Sequence, residues 1–278
     1  MANAEEPRAS TVEANGLRFH VVEAGEGTPV LLLHGFPDTS YLWRHQIAAL
    51  AGAGYRAIAP DMRGRGRTDR PTAVADYALP MMVRDVAALL DALDVRRAHV
   101  VGHDWGAAVA WLVGSLLPDR VDRLVAISVG HPAARGRPTL DELQKGWYRL
   151  LVLFPRAEEL LRQDDWYLMR VLLQNAADAE RYLADLAEPG ALTAGLNWYR
   201  ANLPPERLVG PPPTLPPISA PTLGIWSSGD LYLAEEAMVR SGQVVKGPWR
   251  YERFEDATHW IPLDQPERLN TLLLEFFA

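Results

Sequence analysis

Asp104 sits at the centre of Gly102-His103-Asp104-Trp105-Gly106. The preceding run, Arg97-Ala98-His99-Val100-Val101, is short and apolar enough for a buried strand, and Ala107–Val113 reads as helix. A strand, a sharp turn between small residues and then a helix form a nucleophile elbow. Its glycines answer a steric demand, because side chains beside the strained turn would strike the strand or helix. The central side chain then lies at a helix N-terminus, where backbone N–H groups and the helix dipole favour negative charge. A carboxylate placed there stays ionised and needs no base to become a nucleophile. The plainer reading, that Asp104 caps the helix, explains less of the rest of the chain.

An aspartate nucleophile restricts the chemistry. Attack on a carbonyl would give a mixed anhydride, a poor route to ester hydrolysis. Attack on an sp³ carbon that bears a leaving group gives an alkyl ester of the protein, which water then hydrolyses. Strained ring ethers and carbon–halogen bonds are the substrates that suit this route.

Such a route needs a base, a group to orient it and donors for an oxyanion. Of seven histidines, His20 and His99 fall in strands, His45 in a surface helix, His34 and His103 beside tight turns that they brace, and His131 at a strand end that offers no carboxylate. His259 lies in a short loop, Asp256-Ala257-Thr258-His259-Trp260, between a strand over Trp249–Phe254 and a C-terminal helix over Pro266–Phe277. Asp230 ends the turn Ser227-Ser228-Gly229-Asp230 after a strand over Thr222–Trp226. Loops at the carboxyl ends of parallel strands gather at one edge, so Asp230 is expected to orient His259 close to Asp104. After the apolar strand Val30–Leu33 comes His34-Gly35-Phe36-Pro37. The backbone N–H groups of Phe36 and Trp105 are the candidate oxyanion hole.

The elements needed to position these groups alternate along the chain. Strands are expected at Leu17–Ala24, Val30–Leu33, Arg56–Ala59, the run before the elbow, and Leu124–Val129. Helices are expected over Leu42–Ala53 and through Met82, Val86, Leu89, Leu90 and Leu93. Alternating strands and helices imply an α/β fold with a mostly parallel sheet flanked by helices. From Leu140 to about Leu203 only helical patterns occur, dense in aromatics, followed by a proline-rich connector from Pro204 to Pro221. The predicted organisation is a core over residues 1–131 and 214–278, with an inserted helical cap over 132–213.

Composition narrows the function classes. The chain has 278 residues, 48% of them hydrophobic, and a formal charge of −7, which offers no general attraction to nucleic acid or an anionic membrane. It contains no cysteine, so disulfides, thiolate metal sites and a cysteine nucleophile are excluded. No metal-ligand spacing or phosphate-binding glycine loop is present, and no cofactor is expected. The acidic start, Met1-Ala2-Asn3-Ala4-Glu5-Glu6-Pro7, is no signal peptide, and no run reaches membrane-span length, so a cytoplasmic location is expected. Arg63, Arg65, Arg67 and Arg70 are expected to form a solvated loop with local salt bridges.

Over nearly its whole length the chain resembles the α/β-hydrolases, and most of all the epoxide hydrolases. The resemblance rests on His34-Gly35-Phe36-Pro37, Asp61-Met62-Arg63-Gly64-Arg65-Gly66, Gly102–Gly106, Gly229-Asp230 and His259-Trp260, with Asp104, Asp230 and His259 in the family's triad order. Haloalkane dehalogenases share the aspartate elbow. The cap separates the two, because epoxide opening needs an acid for the departing oxygen, and a tyrosine remains protonated at neutral pH. Epoxide hydrolases carry two cap tyrosines for this. One matches Tyr199 in Asn197-Trp198-Tyr199-Arg200 and the other aligns with Tyr148, with Leu151 and Val152 on the same helix face lining the pocket. At Tyr148 the chain departs from the family, which often has Gln next and an aromatic four residues on; Arg149 and Val152 stand there.

The resemblance implies an epoxide hydrolase that takes an apolar, aryl-bearing epoxide and water to a vicinal diol through an Asp104 ester. Two rival readings remain. A haloalkane dehalogenase would use the same triad, with the Trp105 indole as halide donor. A non-catalytic binding protein of the same fold would leave Asp104, Asp230 and His259 without a task.

Overall fold

The computed structural model describes residues 6–134, 136–174, 177–204 and 211–278. Two strands, β1 (Arg8–Ala14) and β2 (Leu17–Ala24), form a hairpin whose turn places Asn15 and Gly16 at positive φ. Strands and helices then alternate: β3 (Thr28–Leu33), α1 (Arg44–Gly52), β4 (Tyr55–Pro60), α2 (Leu79–Ala92), β5 (Ala98–His103), α3 (Trp105–Leu116) and β6 (Val121–Ile127). Five helices follow among the described residues: α4 (Leu140–Lys145), α5 (Tyr148–Leu153), α6 (Ala157–Leu172), α7 (Ala179–Ala187) and α8 (Ala191–Asn202). The chain then re-enters the sheet with β7 (Thr222–Ser227), α9 (Glu235–Arg240), β8 (Trp249–Phe254), α10 (Ile261–Asp264) and α11 (Pro266–Phe277).

The strands form one sheet in the order β1-β2-β4-β3-β5-β6-β7-β8. The β1–β2 and β2–β4 pairs are antiparallel and the others parallel. The expected mostly parallel sheet flanked by helices is therefore found. Strands β5 and β7 are buried along their whole length, as central strands of a parallel sheet covered on both faces are. Core packing is dense: Leu31, Leu32, Trp43, Trp111 and Trp198 are fully buried, and truncating such a leucine to Ala costs about 2–5 kcal/mol. The chain leaves β3 toward β4 on one side, while β5 pairs on the other. This reversal of strand order opens a crevice at the carboxyl ends of β3 and β5.

Some expectations shift. β1 carries no apolar run, because it is a half-exposed edge strand. The helix read over Leu42–Ala53 begins as a 3-10 turn, Ser40–Trp43, capped by Thr39. α6 is broken at Gln163–Trp166, where Asp164, Asp165 and Trp166 take left-handed angles. The arginine loop is not solvated throughout. Arg63 pairs with the buried Asp85, and Arg65 is fully buried, donating to the carbonyls of Pro37, Asp38 and Ala191. Residues 1–5 of the acidic start, and residues 205–210 of the connector with Pro205, lie outside the described residues. Among the described residues no helix is long and apolar enough to cross a membrane.

Candidate active site

The elbow joins β5 to α3 at Asp104, whose φ of 52° and ψ of −122° lie in a region that non-glycine residues rarely adopt. The surrounding sequence enforces this turn. A Cβ on Gly102 would lie 2.3 Å from the Gly106 carbonyl oxygen, and one on Gly106 would lie 2.0 Å from that of Leu33. No side chain fits at either place.

The loop after β3 folds over the elbow. Phe36 N–H donates to Asp104 Oδ1 at 2.9 Å, and the Trp105 N–H also bonds this carboxylate. Gly35 permits the approach, since a Cβ there would come within 2.3 Å of Oδ1. The Phe36-Pro37 peptide is cis. His34 braces the loop, its Nε2 accepting from Met62 N–H at 2.8 Å, which requires a neutral ring. Burial lowers its pKa to about 4. His103 Nε2 donates to the His259 carbonyl at 2.9 Å, fixing the loop that carries that histidine.

Loops after β7 and β8 bring Asp230 and His259 to the same edge. Asp230 Oδ1 accepts from the N–H groups of Tyr232 and Leu233 at 2.8 and 3.0 Å, which leaves Oδ2 for His259 Nδ1 at 2.9 Å. Nε2 of that ring points at Asp104 Oδ2, 3.7 Å away. All three side chains are buried. Burial disfavours a charged His259, yet its contact with Asp230 and the charges of Asp104 and Asp38 raise its pKa to about 9. Burial also raises the pKa of Asp104, against the opposing pull of His259 and the two N–H donors.

A cavity lies above Asp104. From the helical segment Tyr148, Val152, Met169, Leu172, Leu173 and Tyr199 line it, and from the strand-end loops come Phe36, Pro37, Asp104, Tyr232, His259 and Trp260. Tyr148 and Tyr199 meet edge to face at 6.1 Å. Burial pushes both phenols above the usual tyrosine value, so both remain protonated near neutrality. The remaining pocket residues fall differently. Val152 faces the cavity, whereas Leu151 is not among its lining residues and packs against the core. The Trp105 ring is not in the lining either: it stands behind Tyr199, edge-on at 5.1 Å, with its indole N–H directed at that hydroxyl. On a helix as short as α5 only one of two neighbouring positions can face a narrow cavity.

Several lining residues carried no signal in the sequence. Tyr232 packs edge-on against His259 at 5.4 Å and against Tyr148 at 5.2 Å, while its hydroxyl donates to the Leu172 carbonyl. It thus ties the β7 loop to α6. Asp38 is fully buried behind the triad with its carboxyl pKa raised by burial to about 7, and His103 Nδ1 stands 3.9 Å away. The spacing after Asp230 could have drawn attention to Tyr232, but residues from α6 are joined to the site only by packing.

A family model described as alpha/beta hydrolase fold matches residues 28–266. Epoxide hydrolase A of Mycobacterium tuberculosis is 34% identical, over 98% of this chain and 98% of that protein. Epoxide hydrolase 4 of Homo sapiens is 31% identical, over 95% of this chain and 77% of that protein. Among solved structures, Epoxide Hydrolase A from Mycobacterium thermoresistibile superimposes with a TM-score of 0.83 at 32% identity, covering 97% of this chain and 98% of the other.

Proposed function

The chain belongs to the α/β-hydrolase family, among its epoxide hydrolases, and on that premise we propose that it opens an apolar epoxide to a vicinal diol through an ester on Asp104. One observation carries the reading: Asp104, His259, Tyr148 and Tyr199 all line the same cavity. A carboxylate nucleophile, a base and two protonated phenols are the set that this reaction requires.

The epoxide oxygen accepts hydrogen bonds from the Tyr148 and Tyr199 hydroxyls. Asp104 Oδ2, the oxygen not held by Phe36 N–H, attacks a ring carbon. The carbon–oxygen bond breaks, its electron pair passes to oxygen, and a tyrosine supplies the proton. The product is a hydroxyalkyl ester whose carbonyl oxygen, Oδ1, rests on the Phe36 and Trp105 N–H groups. Esterification also removes the Asp104 charge that helps to hold His259 protonated. His259 therefore gives up its proton more readily, and the neutral ring then takes a proton from water and directs hydroxide at the ester carbonyl. The two N–H groups stabilise the resulting oxyanion. Collapse releases the diol and Asp104, and the surplus proton restores the tyrosine. The inserted segment, residues 132–213, acts as the cap that carries both tyrosines, and no cofactor enters. Met169, Leu172, Leu173 and Val152 make the wall apolar, which favours an aryl or alkyl substituent.

His259→Gln is expected to permit the first half-reaction and block the second. Mixed with styrene oxide, it should gain the mass of the whole epoxide on the peptide that contains Asp104. Labelling by an alkyl bromide alone would point to a dehalogenase. No label from either would overturn Asp104 as a nucleophile.

A further inference from the structure

Arg149 follows Tyr148 on α5, and its guanidinium carbon lies 5.9 Å from the Tyr148 ring centroid. Its Nε is buried without a hydrogen-bond partner. The groups whose charge it feels are Tyr148, Tyr199 and Asp104. A buried Nε–H without an acceptor is costly to keep, since the lost hydration is not replaced.

The reaction supplies a partner. When the ring opens, the electron pair of the broken carbon–oxygen bond takes the Tyr148 proton, and the phenol is left as a tyrosinate in an apolar cavity. Burial makes that anion expensive and the phenol a weak acid, and the Arg149 charge is the strongest influence working the other way. Arg149 already bonds the neutral Tyr148 hydroxyl, and an interaction that strengthens as charge develops lowers the barrier without tightening substrate binding.

We propose that Arg149 is the counter-ion of the tyrosinate formed on Tyr148, a positioning residue that makes this tyrosine the principal proton donor to the opening epoxide. The inference rests on the epoxide-hydrolase reading above. It also assigns unequal roles to the two tyrosines, because the Tyr199 hydroxyl receives the Trp105 indole N–H instead.

The test is the single-turnover rate of Asp104 ester formation with styrene oxide, followed by quenched intact mass across pH. The proteins are the wild type, R149Q, R149K, Y148F and Y148F/R149Q, each checked for an unchanged melting profile. R149Q is expected to slow ester formation roughly tenfold, the loss of one charge-assisted hydrogen bond, with KM little changed. Removing the cation makes Tyr148 a weaker acid, so the alkaline fall in rate moves to higher pH. R149K should recover most of the rate if R149Q perturbs folding. In the Y148F background the same substitution should change the rate less than about twofold. An equal loss with and without the Tyr148 hydroxyl, or a change in KM alone, would overturn the role of Arg149. Absence of any ester on wild-type Asp104 would instead overturn the epoxide-hydrolase reading, and the proposal with it.

Discussion

His259 Nε2 stands 3.7 Å from Asp104 Oδ2, while Nδ1 of the same ring is hydrogen-bonded to Asp230 at 2.9 Å. The longer gap leaves Asp104 Oδ2 free of a full hydrogen bond, yet close enough for its charge to act on the imidazole. The proposed nucleophile and base are thus coupled through charge.

This coupling has a measurable sign. Asp104 raises the His259 pKa from its ordinary value toward about 9. Asp104→Ala removes that charge, so the imidazole should titrate at a lower pH than in the wild type. Proton NMR of the histidine ring signals, assigned with His259→Gln, would measure this. An unchanged titration would mean that Asp230 and Asp38 set the value without Asp104.

Phe36 N–H reaches Asp104 Oδ1 only because position 35 lacks a side chain. Gly35→Ala should therefore displace the loop and cost about 10²–10³ in kcat, the usual scale for losing an oxyanion donor. Circular dichroism should still report a folded sheet.

Tyr148→Phe and Tyr199→Phe each remove a hydroxyl from the cavity. Tyr148→Phe should slow epoxide opening by about 100-fold and Tyr199→Phe by about 10-fold, and the double variant should lose nearly all of it, since general acids contribute about 10²–10⁴. Any turnover of alkyl bromides should survive both, because halide departs without a proton. Parallel assays of the two substrates decide the point.

His99 lies in β5, stacked on Phe277 at 4.5 Å, and burial lowers its pKa to about 4. The unfolded chain takes up this proton near 6.5. Below that pH the unfolded state binds more protons than the folded one, so stability falls as pH drops from about 6.5 toward 4. Stability from this group is fully present above 6.5. His99→Phe removes the titration while keeping the apolar stack. Its urea midpoint should fall less between pH 7 and pH 4.5 than that of the wild type.

Local constraints made the centre of the site legible in the sequence. Gly102, Gly106 and Gly35 are demanded by approaches of about two ångströms, and such demands leave a mark on sequence. A continuous apolar run marked β3, and short, mostly apolar stretches marked β5 and β7, because strands covered on both faces expose little to water. The loops that follow parallel strands all open at one edge, which is why Asp104, Asp230 and His259 meet although 155 positions separate the first from the last.

Other features had no such mark. β1 is a polar edge strand, recognisable only by its pairing with β2. Arg63 and Arg65 looked solvated until Asp85 and the carbonyls of Pro37, Asp38 and Ala191 came against them. Leu151 and Val152 are equivalent in sequence, and the way α5 lies over the cavity turns only Val152 inward. Tyr232 and Leu172 became part of the site through packing between the helical segment and the strand-end loops. Residue types and spacing determined which chemistry this chain could perform, because reactive groups and tight turns are local. The cavity that surrounds them was decided by tertiary structure, because contacts between distant segments depend on helix orientation and burial.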